Sequence, residues 1–392
     1  MSDAPLRVLL SDPVPGLHGQ SRYVWQLARR LHAAGHAVFV ATARAAARDP
    51  AVRAAPFPTL AGFHFAHGAD VLGRLDDVRR FRSHIRELRP DIVHLSHSQD
   101  HWAAAVANAL LGHPARLLRT RHIARPVRDS RSNRLLLGRW TDLQIAVCES
   151  LRASLAAHRA IHSERVAAVH NGVDTETFRP DAGSRARTRE ELGYSDSDFV
   201  LGIAARLWRY KRHDLLLHAV ARARATCPNL HLLVIGDGPD GAALEGLARE
   251  LGIADVVRFQ GPVAQPRMPD FHRALDAGVL PSSTETSSFS VKEHMATALP
   301  VIVSDADGLP EIVTHCREGL VFRSGQLEPL ALALCTLAGN PRLRARLGAA
   351  ARERARREFS VETFLERTLA CYRLALSLPP SHDLPDQCRA LG

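Results

Sequence analysis

Short apolar runs alternate along this chain with longer segments whose apolar residues recur at helical spacing. The short runs predict buried β-strands, and the periodic segments predict helices with one apolar face. Regular alternation of the two predicts α/β architecture, in which parallel, doubly wound sheets carry helices on both faces. In the first part of the chain, strands are predicted at residues 6–10, 36–41, 91–95, 115–120, 143–147 and 165–170.

The same alternation begins again after a polar segment, residues 174–196, which looks like a connection between domains. A chain of 392 residues is also too long for one core, so two domains are predicted. Residues 326–376 are predicted to be helical throughout. The strands predicted for the second part lie at residues 199–204, 230–235, 256–259, 279–280, 301–304 and 319–322.

One stretch of the second part, residues 279–300, combines a strand, a loop and a helix with chemistry that suits a ligand. Ser287 or Ser288 can cap the helix, whose free amides suit a diphosphate. Glu285 precedes the helix and Glu293 lies about two turns into it, and carboxylates suit the vicinal hydroxyls of a sugar or ribose. Together these groups fit a nucleotide sugar. An ordinary capped surface helix with two solvent-exposed acids fits the same spacing.

Lysine is rare here: only two of the 51 lysine and arginine residues are lysine, at positions 211 and 292. This bias indicates that a compact ammonium is needed at Lys211, in the loop after strand 199–204. Arg206 lies in the same loop, and the two cations could neutralise a diphosphate. Gly236 and the loop after Gly261 follow neighbouring strands. Because ligands of open parallel sheets bind beyond the carboxyl ends of the strands, all these positions could converge on one ligand.

The net charge of +10 lies entirely in the first half of the chain. A basic domain attracts an anionic acceptor, anionic lipid head groups or nucleic acid. No zinc finger, basic zipper or RNA-binding signature is present, so nucleic acid is not expected as a partner. The arginines that could meet an anionic acceptor, or could simply be solvated, are Arg119, Arg121, Arg125, Arg128, Arg131 and Arg134.

Nothing in the sequence predicts export or a membrane span. The first residues lead directly into a strand rather than a signal peptide, and no apolar run approaches the length that crosses a bilayer. The six cysteines are scattered without a CxxC pair, which favours reduced thiols over zinc or disulfides. We expect a cytoplasmic protein that could lie peripherally on the inner face of the membrane.

Several short motifs are spread in order along most of the chain. They are Thr120-Arg121-His122, Asn171-Gly172-Val173-Asp174 with Phe178 and Pro180, Ala205-Arg206-Leu207 with Lys211, Gly236-Asp237-Gly238-Pro239, and Glu285 with Glu293 followed by Met295-Ala296 and Pro300. These motifs resemble those of the retaining glycosyltransferases of family 4, which have the GT-B architecture of two Rossmann-like domains facing across a cleft. The resemblance implies an N-terminal acceptor domain at 1–178, a C-terminal donor domain at 179–360, and a C-terminal helix with tail at 361–392 that crosses back to the first domain.

The resemblance also implies roles for individual residues. Arg206 and Lys211 would stabilise the leaving diphosphate, Glu293 would bind ribose, and Glu285 would hold the donor sugar. His122 and Glu285 would act at the reacting centre. The residues implied to bind the donor are Gly19, Arg206, Lys211, Gly236, Val263, Ser288, Phe289, Ser290 and Glu293, and those implied to bind the acceptor are His18, Arg121 and Arg125.

The chain departs from the family pattern at four places. Thr286-Ser287-Ser288 replaces the frequent Gly-Phe-Gly, so the contact with the donor sugar could differ. Ala298 stands where glycine is usual, and Asp307-Gly308 and His18-Gly19 each replace a pair of glycines. Asp305 and Asp307 superficially resemble a metal-binding DxD, but they lie outside the family pattern, and enzymes of this type need no metal.

The expected function is therefore metal-independent, retaining transfer of a sugar from a UDP- or GDP-sugar, with no other cofactor. The acceptor would be a glycan, a lipid-linked molecule or a small molecule, in polysaccharide, lipopolysaccharide or glycolipid synthesis or in the glycosylation of a natural product. Two alternatives stay open. A glucan phosphorylase would need a lysine for pyridoxal phosphate, and a non-catalytic protein would bind the nucleotide sugar without transferring it.

Overall fold

Two separate parallel sheets organise this chain. A computed structural model describes residues 4–13, 19–65 and 70–384. The chain divides into a first unit, comprising the residues before Asn171 together with those from Phe364 onward, and a second unit, Asn171–Thr363. The divisions expected from the sequence fell at 178 and 360. The first unit holds a seven-stranded sheet and the second a six-stranded sheet, and each is all parallel.

The sheet of the first unit has the order β3-β2-β1-β4-β5-β6-β7. Its central strands are buried on both faces, as continuous apolar runs such as Val8-Leu9-Leu10 dictate. The strands are β1 (Arg7–Asp12), β2 (Ala37–Ala43), β3 (Thr59–Phe63), β4 (Ile92–Leu95), β5 (Arg116–Arg121), β6 (Leu143–Ala146) and β7 (Val166–Ala168). The α-helices are α1 (Gly19–Ala33), α2 (Pro50–Arg53), α3 (Val71–Leu88), α4 (Ser98–Ala109), α5 (Arg131–Arg134) and α6 (Glu149–Ala156).

The sheet of the second unit has the order β10-β9-β8-β11-β12-β13, so the direction of winding reverses between β8 and β11. A crevice at such a reversal is the usual ligand site of an open α/β sheet. The strands are β8 (Phe199–Ala204), β9 (Leu230–Ile235), β10 (Val257–Gly261), β11 (Ala277–Leu280), β12 (Val301–Ser304) and β13 (Gly319–Phe322). The α-helices are α7 (Ala182–Leu192), α8 (His213–Arg224), α9 (Gly241–Glu250), α10 (Met268–Arg273), α11 (Phe289–Ala296), α12 (Leu309–Ile312), α13 (Leu327–Ala338), α14 (Pro341–Glu358) and α15 (Val361–Ser377), the last continuing into the first unit.

One element prediction is wrong. The polar segment 174–196 is not only a connection, because it contains α7, whose cap Asp181 accepts a hydrogen bond from the Ser184 amide at 2.8 Å. Residues 326–376 are helical almost throughout, as predicted, in the three helices α13, α14 and α15. Helix α14 begins where Asn340 caps it ahead of Pro341. The edge strand β3 and the short helix α10 had no predicted counterpart, since neither carries a long periodic pattern.

Candidate functional site

The loop between β11 and α11 carries Glu285, and the helix that follows is capped by Ser288. The Ser288 hydroxyl accepts a hydrogen bond from the Val291 amide at 3.3 Å, which settles the choice between the two predicted caps. Phe289 and Ser290 form the first turn of α11 and are half-buried. The first-turn amides of this eight-residue helix carry the positive end of its dipole, to which anions are attracted.

Lys211 and Glu285 meet at the point where the winding of the sheet reverses. The Lys211 ammonium forms an ion pair with the Glu285 carboxylate, and both side chains are mostly buried. Lys211 lies in the loop after β8, and Glu285 in the loop after β11. Two of the residues predicted to form the site are thus brought together from positions that are distant in the sequence.

Hydrogen bonds to two neighbouring loops fix the Glu285 loop. Asp307 accepts from the Thr284 hydroxyl at 2.5 Å and from the Glu285 amide at 2.8 Å. The Gly308 amide donates to the Glu285 carbonyl at 3.0 Å, and the Ser283 amide donates to the Tyr210 carbonyl at 2.8 Å. Asp307, the second acid of the DxD-like segment, therefore positions the Glu285 loop.

Lys292 on α11 is fully buried, although a lysine is seldom found there. Its ammonium donates to the Asn171 carbonyl at 2.9 Å, to the Asn171 side-chain oxygen at 2.5 Å and to the Ser287 hydroxyl at 2.8 Å. All three donors are satisfied, as a buried charge requires. The departure at Ser287 thus has a partner: Lys292 ties that residue to Asn171 of the Asn-Gly-Val-Asp motif.

Glu293 is also buried, beside two histidines. Its Oε2 atom lies 3.5 Å from Nε2 of His272, whose Nδ1 lies 2.9 Å from Nδ1 of His294. Burial lowers the pKa of His294 well below its ordinary value, so this imidazole is neutral at pH 7. The alternative of two solvent-exposed acids is wrong, since the Glu285 and Glu293 side chains are 13% and 3% exposed. Contact between Glu293 and a ribose stays a prediction.

The Gly236-Asp237-Gly238-Pro239 turn packs directly against the loop that carries Arg206. The Leu207 amide donates to the Asp237 carbonyl at 2.8 Å. Gly236 has φ +130°, and a Cβ there would lie 2.2 Å from the Ala205 carbonyl oxygen, so only glycine fits. Arg206 is exposed and stacks on Trp208, with its guanidinium carbon 4.7 Å from the ring centre. Its guanidinium forms no hydrogen bond or ion pair with any residue that the structure describes.

Two further residues predicted to bind the donor, Val263 and Gly19, lie in different units. Val263 follows β10 and packs, partly buried, against the core of the second unit. Gly19 is the first residue of α1 in the first unit. His18 lies outside the described residues.

His122 and the acceptor-side arginines line a pocket of about 480 Å³ in the first unit. The pocket lies at the carboxyl ends of β4 and β5 and includes Arg119, Arg121 and Arg125. Burial, with His97, His94 and Arg119 nearby, lowers the pKa of His122 to about 3, so its imidazole is neutral at pH 7. His122 packs edge-on against Tyr23, with ring centres 4.8 Å apart.

Arg119 forms the deep end of this pocket. Its guanidinium bonds Nδ1 of His101 at 2.7 Å and the Ser98 hydroxyl at 3.1 Å. Burial lowers the pKa of Arg119 only to about 10, so it stays charged at neutral pH. Burial raises the pKa of nearby Asp100 to about 6, where Arg119 and hydrogen bonds oppose the rise.

Sequence reasoning assigned no roles to Lys292, Asn171's side chain or Asp307. The signal for Lys292 was available, because it is one of only two lysines in an arginine-rich chain. The signal for Asp307 was misleading, because its spacing from Asp305 suggested a metal motif. Its partners lie on a different loop, which no local pattern reveals.

Two family models match the chain. The model described as Glycosyltransferase Family 4 matches residues 17–177, and the model described as Glycosyl transferases group 1 matches residues 184–354. The two matches fall largely on the first and the second unit, respectively.

Among curated proteins, the chain is similar to enzymes named D-inositol 3-phosphate glycosyltransferase. The relative from Streptomyces scabiei is 35% identical over 247 residues, covering 61% of this chain and 55% of the relative. The relative from Kribbella flavida is 35% identical over 221 residues, covering 54% and 51%. The chain thus spans about half the length of the curated relatives it matches.

Solved structures with the same fold cover nearly the whole chain. A glycosyltransferase from Rickettsia africae has a TM-score of 0.82 at 17% identity and covers 95% of this chain and 100% of its own. HepE of Anabaena, in complex with UDP and glucose, has a TM-score of 0.81 at 21% identity, with the same coverage. These likenesses establish the GT-B fold. Among the described residues, no helix combines the length and apolarity that crossing a bilayer requires.

Proposed function

Because the chain belongs to the group 1, family 4 glycosyltransferases, we propose that it transfers a sugar from a nucleoside diphosphate sugar to an acceptor hydroxyl. The observation that carries this proposal is the meeting of Lys211 with Glu285 at the winding reversal of the second sheet, in the loop that leads into α11. A cation and helix amides suit a diphosphate, and a carboxylate suits sugar hydroxyls. HepE, which shares the fold, binds UDP and glucose.

The donor's diphosphate would be held by Arg206, Lys211 and the first-turn amides of α11. When the glycosidic bond breaks, negative charge grows on the leaving diphosphate, and fixed positive groups stabilise it. Glu285 would turn from its partner Lys211 toward the sugar as the diphosphate takes up the ammonium. No protein nucleophile is assigned. The acceptor hydroxyl would attack on the face of the leaving group, forming the new glycosidic bond as the old one breaks and giving its proton to the departing diphosphate, with retention and without a metal.

The acceptor would be anionic and held by the first unit. Its pocket carries Arg119, Arg121 and Arg125, and the curated relatives bear names that specify an inositol phosphate. A surface glycan, a lipid-linked precursor and a small natural product all remain within this class.

The test is a transfer assay with a panel of UDP- and GDP-sugars and phosphorylated acceptors. We expect release of nucleoside diphosphate that depends on the acceptor, and proton NMR of the product should show the anomeric configuration of the donor. Glu285→Gln should abolish transfer while its circular dichroism spectrum stays that of the wild type. Release by the variant at the wild-type rate would refute the assignment.

The contacts of both lysines count against the phosphorylase alternative. Pyridoxal phosphate would form a Schiff base with a neutral, accessible lysine amine, whereas Lys211 pairs with Glu285 and Lys292 donates to Asn171 and Ser287. The same transfer assay distinguishes an enzyme from a non-catalytic protein that binds the nucleotide sugar, since the latter would release no nucleoside diphosphate.

We further propose that the protein acts peripherally on an anionic membrane surface, on the cytoplasmic side. Helix α3 presents an exposed stripe, called the α3 stripe here, whose first turns are aliphatic and whose later turns are cationic. At helical spacing its members fall on one face. They are Val71, Leu72, Leu75, Arg79, Arg82 and Arg86.

This composition matches an anionic lipid surface. Leu72 is 80% exposed, which is unusual for a leucine in a structured helix. Arg79, Arg82 and Arg86 form no ion pair with any described residue, so their charge is available to phosphate head groups. Aliphatic side chains beside cations are typical of helices that lie in the membrane interface.

Vesicle sedimentation tests this surface. The wild type should sediment with phosphatidylglycerol-containing vesicles and not with pure phosphatidylcholine. Leu72→Ser with Leu75→Ser should weaken binding at least ten-fold, because both side chains lose apolar burial. Leu332→Ser on α13 is the control, because Leu332 is 69% exposed, between the values of Leu72 and Leu75. Equal sedimentation of the α3 variant and the control would refute the assignment.

A further inference from the structure

The pocket of the first unit combines two kinds of wall. One wall is cationic, formed by Arg119, Arg121, Arg125 and Arg128. The other wall is apolar, formed by side chains from α4 and from the segment that follows β5. Its members are Trp102, Ile123, Val127, Leu136 and Leu137. No aspartate or glutamate is among the described residues that line the pocket.

The cationic wall is built to receive an anion. Arg119 is 9% exposed, and its Nε atom has no hydrogen-bond partner among the described residues, although its other nitrogens bond His101 and Ser98. A buried N–H without a partner is costly, and an anionic oxygen would supply one. Arg121 donates to the Arg125 carbonyl at 2.8 Å, and no carboxylate neutralises Arg125 or Arg128 in the described structure.

The apolar wall limits what the rest of the ligand can be. Leu136 and Leu137 are buried, and the Trp102 ring stands beside them in the same pocket. Polar side chains also line the pocket, among them Gln20, Gln99 and Asn133, and they can bond the reacting hydroxyl of an acceptor. A polyol carries further hydroxyl groups, and each one that lies against the apolar wall without a partner costs free energy. An aryl or alkyl group would instead bury apolar area, which is favourable.

We infer that this pocket takes an acceptor that joins an anionic group, phosphate or carboxylate, to an apolar aryl or alkyl body. The anion lies at the Arg119 end, and the apolar body lies against Trp102 and Leu137. The statement that this ligand is an acceptor rests on the proposed function. Its chemical class is inferred from the pocket alone. It also separates this chain from relatives whose names specify an inositol phosphate, a polyol ester.

The experiment is isothermal titration of the full chain, at one ionic strength, with four probes: phenyl phosphate, octyl phosphate, myo-inositol 1-phosphate and inorganic phosphate. At least one of the two apolar esters should bind ten-fold or more tightly than both other probes. Preference for the octyl ester would indicate a lipid-like acceptor, and preference for the phenyl ester an aryl acceptor. Equal or tighter binding of myo-inositol 1-phosphate would overturn the inference, as would failure of all esters to bind.

Variants assign the binding to this pocket. Arg119→Gln and Arg125→Gln should each weaken the preferred ester about ten-fold, which is the usual effect of losing one charged hydrogen bond. Arg125 is exposed, so its variant should fold even if the buried Arg119 variant does not. Leu137→Ser should weaken the apolar ester and leave inorganic phosphate unchanged. Arg53→Gln, at an exposed arginine that does not line the pocket, is the control, and parallel loss in this control would also overturn the inference.

Titration with UDP and GDP separates this inference from the proposed function. Those ligands would occupy the second unit, whose candidate donor residues share no member with the pocket. Binding of a nucleoside diphosphate without binding of an apolar ester would refute the inference alone. Binding of the ester without any nucleoside diphosphate would refute the proposed donor chemistry alone.

Discussion

Both lysines of the chain bind the loop that precedes α11. Lys211 pairs with Glu285, and Lys292 donates to Ser287. An ammonium has three donors on a compact head, which suits the three oxygens around Lys292, whereas a guanidinium is planar and larger. The space and the oxygen partners at these two positions therefore suit lysine better than arginine, which explains why an otherwise arginine-rich chain has lysine there.

At the residue scale, Lys292→Met tests this arrangement. The variant keeps the apolar stem but leaves the Asn171 carbonyl without its ammonium donor and Ser287 without one of its two partners. Loss of charged hydrogen bonds in a buried site should lower the free energy of unfolding by about 2–4 kcal/mol. Urea unfolding followed by circular dichroism measures the loss. Ser287→Ala in the Lys292→Met background should then cost less than in the wild type, and additive effects would contradict a direct coupling.

At the element scale, much of the fold was predictable because its strands are continuous apolar runs. Strands β8, β9, β12 and β13 lie at the predicted residues, since an apolar run bounded by polar loops permits few other registers. Helix α7 and strand β3 were missed because they depend on a cap and on pairing with a neighbour. For Glu285 and Lys211 the sequence predicted only that their loops converge at one end of the sheet, not that the two side chains pair. The contacts of Asp307 and Lys292 could not be predicted from the sequence, because their partners lie in other loops.

Ala298, at the end of α11, is one of the positions where the sequence departs from the family pattern, and its backbone conformation is unusual. Ala298 follows the helix with φ +62°, in the left-handed region where glycine is usual. A residue with a side chain loses about 1–2 kcal/mol of stability in this left-handed conformation. Glycine avoids that loss but gives part of it back, because it raises the entropy of the unfolded chain. Ala298→Gly should therefore raise the free energy of unfolding by about 1 kcal/mol.

Urea unfolding of matched variants checks this expectation. Ala296→Gly, at the last residue of the same helix, should have the opposite sign and lower stability by about 1 kcal/mol or more, because glycine disfavours the helical backbone and the variant removes a buried methyl group. A loss of stability in both variants would show that the Ala298 side chain, and not its backbone, matters at the helix end.

At the scale of the whole molecule, neutral histidines tie stability to pH in both units. Burial lowers the pKa of His94 and His122 to about 3 and that of His213 to about 4. Burial also lowers the pKa of His101 and His294 well below the ordinary value. In the unfolded chain each would titrate near its ordinary value of about 6.5.

Acid should therefore destabilise the fold well above the range where carboxylates titrate. A lowered pKa means that the unfolded state binds more protons below pH 6.5, so the stabilisation is complete above that pH and is lost as the pH falls toward the folded pKa. Each such histidine contributes about 1.4 kcal/mol per pH unit. Asp100, whose pKa burial raises to about 6, acts in the opposite direction as a single group.

The urea midpoint should fall steeply between pH 7 and pH 5, in proportion to several protons taken up on unfolding. His213→Gln should reduce the number of protons taken up on unfolding by about one, and so should lower the slope of stability against pH. His218→Gln, at an exposed position on the same helix, should leave the slope unchanged. Equal midpoints at pH 7 and pH 5 would contradict neutral burial of these rings.

The central claim is that the second unit grips a pyrophosphate with Lys211 beside the amides of α11. Isothermal titration with UDP, GDP, ADP and dTDP tests it without knowledge of the acceptor. We predict that at least one binds, that Lys211→Ala weakens it about ten-fold or more through loss of a charged hydrogen bond, and that Arg209→Ala, a neighbouring cation in the same turn, leaves it within about two-fold. A folded wild type that binds none of the four, or unchanged affinity in Lys211→Ala, would contradict the account.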